Sequence, residues 1–317
     1  MPDIMKVLDL FSGMGGFSYG FKNAGFKVTG IDISEEAVNT YKKLTGGTGR
    51  VLNLYREHIT DDEYTGIIGG PPCRPWSTVN LHKRGINHND YGLVNVFFNT
   101  VSDLKPEFFI MENVPAIRND PVIERSIKNI KNSGYSISTG MYTYSEFGAA
   151  VARKRFFISG TFNEENRILA ELDKRKKDGL ILRNVMWKLR NKTENSIPGH
   201  EWPNLKTIKK YRKYYLHGKY GWRQLSWDSP APSFGNVMKT YTLHPDFGID
   251  SNNPRVISVL EALRIMGFKG YPFNSGIGKG KRYQMVVDSV SPVFSKIIAD
   301  VVYGYITGKE YKISEKW

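Results

Sequence analysis

The stretch Gly69-Gly70-Pro71-Pro72-Cys73-Arg74-Pro75-Trp76-Ser77 holds the one cysteine of a 317-residue chain. A lone thiol forms no intramolecular disulfide and no cysteine-rich zinc site, which leaves a small buried hydrophobe or a nucleophile. An apolar run ending in two glycines, Ile67 to Gly70, leads into two stiff prolines, the pattern of a strand that stops and presents its next side chain in a cleft. A cysteine attacks as its thiolate, and nearby arginines favour that form over the thiol, whose ordinary pKa is about 8.5. An isolated cysteine is more often a packed core thiol; the surroundings of Cys73 favour the nucleophile.

Three more constellations carry chemistry. Asp9-Leu10-Phe11-Ser12-Gly13-Met14-Gly15-Gly16-Phe17 puts glycines between a strand and a helix, where backbone can approach a ligand closely, and Asp32 ends the next strand as an acid does when it binds ribose hydroxyls. The glycine spacing is not that of a dinucleotide fingerprint, and a plain tight turn is the competing reading. Glu112-Asn113-Val114 supplies a carboxyl able to move a proton, or merely a turn-capping acid. Arg153-Lys154-Arg155 opens an apolar strand whose alternation puts the two arginines on one side; a solvated edge strand is the alternative.

The elements that position these residues alternate. Apolar runs over 6–11, 27–33, 51–55, 65–68, 107–111, 136–144 and 155–160 read as strands, and 17–25, 35–44, 94–104, 122–132, 256–266 and 293–303 as helices. The pattern predicts an α/β fold with a mostly parallel sheet covered on both faces, in which ligands sit at the carboxyl ends of the strands. The glycine loop, the Cys73 loop and the Glu112 turn all fall at such ends. From about 183 to 254 the regularity fails. Eleven basic residues against two acidic ones make residues 183–223 alone +9, within a chain of net +14. That excess favours a polyanionic partner, nucleic acid before anionic membrane. Tyr211, Tyr214, Tyr215, Tyr220 and Trp222 there either form a small local core or wedge against bases. No apolar run reaches membrane-spanning length, and the lone cysteine fits a reducing compartment such as the cytoplasm.

Together these residues resemble the DNA (cytosine-5) methyltransferase family, over most of the chain and in the family's motif order. The resemblance implies a Rossmann-like class I methyltransferase sheet plus a smaller, irregular target-recognition domain. It divides the chain into a catalytic domain at 1–182 and 283–317, a target-recognition domain at 183–254 and a hinge at 255–282, with DNA in the cleft. It implies S-adenosylmethionine as cofactor, S-adenosylhomocysteine as product and no metal. Phe11, Gly13, Gly15, Gly16, Phe17, Asp32, Ile33, His58, Ile59, Pro72, Leu93, Asp288, Ser289 and Val290 match cofactor-binding positions. Cys73, Glu112, Arg153 and Arg155 match catalytic ones. Gly148 belongs to the arginine motif, Arg255 to Phe268 to the ninth motif, and Gln284 with Pro292 to the last. Double-stranded DNA would be met by Arg74, Ser77, Lys83, Arg84, Lys209, Lys210, Arg212, Lys213 and Arg223, with residues 74–92 as a closing loop. The family pattern further implies a monomer, cytoplasmic and associated with the nucleoid, with a cognate restriction endonuclease as a possible partner. Four positions depart from it: His58 replaces an acid, Arg74 a glutamine, Val151 a glutamine, and Val287-Asp288 a Gly-Asn pair. A transfer-RNA cytosine methyltransferase, a non-catalytic DNA-binding protein on the same fold and a nicotinamide-dependent oxidoreductase are the competing functions.

Overall fold

The computed structural model describes residues 4–60, 63–76, 84–162, 164–217 and 221–308. Ser77 and Lys83 of the expected DNA contacts, and Tyr220, lie outside the described residues. In chain order the first elements are β1 (Lys6–Leu10), α1 (Gly16–Asn23), β2 (Lys27–Asp32), α2 (Glu35–Thr45), β3 (Thr48–Val51), β4 (Gly66–Gly69), α3 (Leu93–Leu104), β5 (Phe108–Asn113), α4 (Pro121–Asn132), β6 (Tyr135–Thr143), β7 (Val151–Ala152) and β8 (Lys154–Phe162). After them come α5 (Ile168–Asp173), α6 (Leu182–Met186), α7 (Arg212–Leu216), β9 (Arg223–Gln224), β10 (Ala231–Pro232), β11 (Thr242–Leu243), α8 (Val259–Met266), α9 (Lys279–Asp288) and α10 (Pro292–Thr307). The chain divides into two compact units: Met1–Tyr142, Lys154–Lys176 and Ser295–Trp317 form one, Thr143–Arg153 and Lys177–Phe294 the other.

The first unit is built on a seven-stranded sheet of order β3-β2-β1-β4-β5-β8-β6. Strands β1 to β5 pair in parallel, and β8 runs antiparallel to β5. Every residue of β4 and β5 is buried, as expected of strands covered on both faces. The order reverses at β1, with β2 on one side and β4 on the other, which is where open α/β sheets place ligands. Register aligns the ends there: Leu10 pairs with Gly69 and with Ile31, and Gly69 pairs with Met111. The residues that follow in each strand are therefore the glycine loop, the Pro-Pro-Cys turn, Asp32 and Glu112.

Two sequence expectations shift. The third strand, expected over 51–55, instead ends at Val51, because Asn53 turns the chain: its side-chain oxygen accepts from Tyr55 N (3.1 Å) and its carbonyl from the amides of Arg56 and Glu57. The helix expected from 256 starts at Val259, behind a capping box in which Ser258 Oγ accepts from Glu261 N and Glu261 accepts from Ser258 N. The solvated-edge reading of 153–155 fails, since β8 lies inside the sheet between β5 and β6.

Among the described residues, the strands of the second unit are short and form two parallel pairs, β7 with β10 and β9 with β11. Trp222 is its aromatic centre, with ring centroids 4.6 Å from Tyr211, 5.1 Å from Tyr214, 5.7 Å from Tyr215 and 4.8 Å from Tyr241. These rings form the small local core rather than a set of free wedges. Within α8, Glu261 is wholly buried and accepts two hydrogen bonds from Arg255, at 2.8 and 3.0 Å. His244, also fully buried, takes a hydrogen bond on Nδ1 from the Asp246 amide (3.1 Å), so its proton sits on Nε2, 3.5 Å from Glu261. Burial pushes its pKa down to about 4; Glu261 pulls the other way, and Arg255 and the nearby His200 reinforce the neutral form.

A histidine held neutral in the fold and free to charge when unfolded contributes stability that is complete above pH 6.5 and drains away as pH falls toward about 4. Thermal unfolding measured from pH 7 to pH 4.5 is expected to weaken more steeply in the wild type than in His244→Gln; equal slopes would contradict this.

Candidate active site

Cys73 is half-buried in a turn closed by the Trp76 amide donating to its carbonyl (3.0 Å). Two contacts bring this turn to the end of β5. Asn113 Nδ2 donates to the Pro71 carbonyl (3.0 Å), and Gly70 lies so close to Glu112 that a Cβ there would stand 3.2 Å from its Oε2. Glu112 is buried and paired with Arg155, whose Nε donates to Oε1 at 2.9 Å while Nη1 donates to the Lys154 carbonyl (2.7 Å). A thiol, a carboxylate and a guanidinium thus converge in the first unit. The carboxylate can hold a proton or accept one, and the guanidinium can steady a developing negative charge.

The glycine loop is held from below. Gly15 N-caps α1 with φ of 92°, and a Cβ there would come within 2.7 Å of the Tyr41 ring. Tyr41 Oη donates to Ser18 Oγ (2.9 Å), which donates to the buried Asp9 carboxylate (2.7 Å). Burial raises Asp9 to about 7. Asp32 closes the loop from the side, accepting from the amides of Gly13 and Ser34 at 2.9 Å each, which leaves acceptor capacity on both oxygens. Phe11 adopts a left-handed φ of 59°, uncommon for a residue with a side chain. Gly16 is buried at the start of α1, and Leu93 is buried at the start of α3.

The other expected cofactor residues differ in burial. Phe17 packs its ring on Phe21 and Phe157 in the core, at 4% exposure. Ile59 is also a core residue. His58 is exposed, and the neighbouring Glu57 spends its carboxylate on the Asn53 amide (2.8 Å). Pro72 is half-buried beside Cys73.

Arg153, Asp288, Ser289 and Val290 belong to the second unit. Arg153 is buried and donates to the Val287 carbonyl. Asp288 accepts from Gln284 Nε2 with both oxygens (2.8 and 2.9 Å), and Ser289 Oγ donates to the Met285 carbonyl (2.8 Å). Val290 is buried. Of the expected DNA contacts, Arg74, Arg84, Lys209, Lys210, Arg212, Lys213 and Arg223 are exposed. Arg212 is engaged by Asp250, and Lys213 lies over the Tyr214 ring. No helix among the described residues is long and apolar enough to cross a membrane.

A reversed parallel sheet that lines a glycine loop up with a thiol beside a buried carboxylate–guanidinium pair defines a Rossmann-like group-transfer enzyme. Comparison with known proteins makes the class specific: the chain belongs to the C-5 cytosine-specific DNA methylase family, whose model matches residues 5–303. It is 28% identical to the type II methyltransferase M.FnuDI of Fusobacterium nucleatum over 96% of both chains. It is also 28% identical to M.HindV of Haemophilus influenzae, over 95% of this chain and 97% of that one. A solved DNA modification methyltransferase encoded within an E. coli prophage shares the fold, with a TM-score of 0.75 at 21% identity over 95% of this chain and 99% of the other. The enzyme is accordingly a DNA (cytosine-5) methyltransferase, and its family implies S-adenosylmethionine-dependent methylation of DNA.

The residues present fit that cofactor. Ser12 Oγ is buried with no hydrogen-bond partner among the described residues, Gly13 has open space where a Cβ would stand, and Ile33 leaves an apolar side chain 68% exposed just past Asp32. Sequence reasoning missed the Asp9–Ser18–Tyr41 chain. It also missed Asp120, which accepts from Trp76 and Tyr91 beside the Cys73 turn. Asn119-Asp120-Pro121 signals a helix cap, but nothing local signals those two partners.

Glu112→Gln keeps the shape and removes the charge opposite Arg155. It is expected to slow methyl transfer by about 100-fold. It should also lower the melting temperature, because a buried guanidinium loses its counter-charge. An unchanged rate and an unchanged melting curve would contradict the pairing's role.

Proposed function

We propose that the enzyme methylates carbon 5 of a cytosine flipped out of double-stranded DNA at one recognition sequence, through a transient bond from Cys73 to ring carbon 6. The observation that carries this is the tethering of the Cys73 turn, through Pro71 and Gly70, to the Asn113 and Glu112 end of β5, where Glu112 pairs with Arg155.

Carbon 5 of cytosine is a poor nucleophile until a thiolate adds at carbon 6 and makes the ring enamine-like. Cys73 supplies that thiolate. Glu112 hydrogen-bonds or protonates ring nitrogen 3, and Arg155 binds the ring carbonyl as charge develops on it. S-adenosylmethionine, when bound, supplies the methyl group as an electrophilic sulfonium. Asp32 would accept its ribose hydroxyls, Ile33 would flank its adenine, Leu93 would touch it, and the amides of the glycine loop would help to hold it. Loss of the carbon 5 proton to a base then lets Cys73 leave. Reaching a base in a duplex requires flipping it out, at a cost of a few kcal/mol of pairing and stacking.

The basic segment serves the duplex. Lys209, Lys210, Lys213 and Arg223, with Arg74 and Arg84, meet phosphates or the gap left by the flipped base. Ser77 is assigned with them on the resemblance, and Lys83 as a basic side chain of the 74–92 sequence. In this reading residues 183–254 form the target-recognition domain, 255–282 the hinge, and 1–182 with 283–317 the catalytic domain. The type II relatives favour a restriction endonuclease of the same target as the functional partner; a monomeric methyltransferase is the expectation from the sequence resemblance.

Cys73→Ala is expected to lose methyl transfer to duplex DNA while still binding it; turnover like the wild type would refute the nucleophile. Transfer RNA assayed alongside duplex separates the two substrates, and the reading requires the duplex to be methylated. Neutralising Lys209, Lys210, Arg212 and Lys213 together should weaken binding and reduce the salt slope by about one unit for each phosphate no longer neutralised; an unchanged slope would move the DNA surface elsewhere.

A further inference from the structure

We propose that Asp120 is a positioning residue for the nucleophile: its carboxylate clasps Trp76 and Tyr91 together and so fixes the turn that carries Cys73. The inference rests on the reading of Cys73 as the attacking group.

Asp120 is the N-cap of α4, and its Oδ1 accepts from the Val122 amide at 2.9 Å. A cap needs nothing more. Here the same oxygen also accepts from Tyr91 Oη (2.5 Å), and Oδ2 accepts from Trp76 Nε1 (2.7 Å). The Trp76 and Tyr91 rings lie 5.5 Å apart, and Trp76 is 7% exposed. Burial raises the Asp120 carboxyl, but the Tyr91 hydroxyl, the Val122 amide and Trp76, with Arg125 nearby, outweigh it and hold its pKa below the ordinary range. The group therefore stays ionised at neutral pH, as three donors require.

The Cys73 turn is pinned at both ends. Before it, the Pro71 carbonyl is held by Asn113 (3.0 Å). After it, Trp76 is held by Asp120, while the Trp76 amide closes on the Cys73 carbonyl and the Gly85 amide on the Pro75 carbonyl (2.9 Å). Attack on a ring carbon demands a narrow range of sulfur positions, and slack at one end of a four-residue turn widens that range.

The test uses the single cysteine. In Asp120→Ser the new side chain still caps α4 but is too short to reach Trp76 and Tyr91; Asp120→Asn keeps one acceptor oxygen. Alkylation of Cys73 by iodoacetamide, followed from pH 6 to 10 on the protein alone, reads the freedom of the turn. For Asp120→Ser the rate is expected to rise about tenfold, the worth of one charge-assisted hydrogen bond, with a smaller rise for Asn. Turnover of duplex falls by a similar factor, with duplex affinity and the folded fraction unchanged. Tyr91→Phe and Trp76→Phe move both readouts in the same direction. Wild-type alkylation in Asp120→Ser, or a turnover loss that only tracks unfolding, overturns the proposal. The alkylation needs neither DNA nor cofactor, so failure of the nucleophile reading itself, seen as turnover in Cys73→Ala, is told apart.

Discussion

The alignment of three parallel strand ends governs this enzyme. Leu10, Gly69 and Met111 share one row of the sheet, so whatever follows them must meet at the same edge. A shift of one residue in that register would turn each strand's side chains to the other face and part the thiol from the carboxylate. The glycines of β4 serve this closeness: a Cβ at Gly69 would stand 2.5 Å from the Leu10 carbonyl, and one at Gly66 2.1 Å from the Phe108 ring. Small residues here are a condition of strand approach, not a sign of looseness.

Chemistry at such an edge needs polar groups in nearly dry surroundings, and the molecule meets that requirement by pairing them. Glu112 has Arg155, Asp9 has Ser18 and Tyr41 behind it, and Asp32 takes two backbone amides. In the second unit Glu261 is likewise matched by Arg255. Ser12 Oγ, one of six buried side-chain atoms without a hydrogen-bond partner among the described residues, lies in the loop proposed to hold the cofactor.

What the sequence disclosed follows from the range of the forces involved. Strand and helix alternation, the glycine loop and the Pro-Pro-Cys turn are set by local periodicity and backbone restriction, and all were legible. Cys73 and Glu112 lie 39 residues apart, and the alternation of elements put both at the carboxyl ends of strands; only the family resemblance gave them complementary roles. The antiparallel place of β8 inside the sheet, the burial of Phe17 and the packing of four tyrosines around Trp222 depend on contacts far apart in sequence. Asn53 ended β3 early by side-chain hydrogen bonding that an apolar pattern conceals. Asp120 looked like a helix cap and is one, while its other two donors sit 29 and 44 residues upstream.

The proposed reaction turns on a sulfur–carbon bond. Incubation with a duplex in which 5-fluorocytosine replaces the target base, in the presence of S-adenosylmethionine, should leave protein and DNA joined through denaturation, because the ring then has no carbon 5 proton to lose. Peptide mapping by mass spectrometry should find the nucleotide on Cys73. An adduct on any other residue, or no adduct with a duplex that is methylated when cytosine is restored, would contradict it.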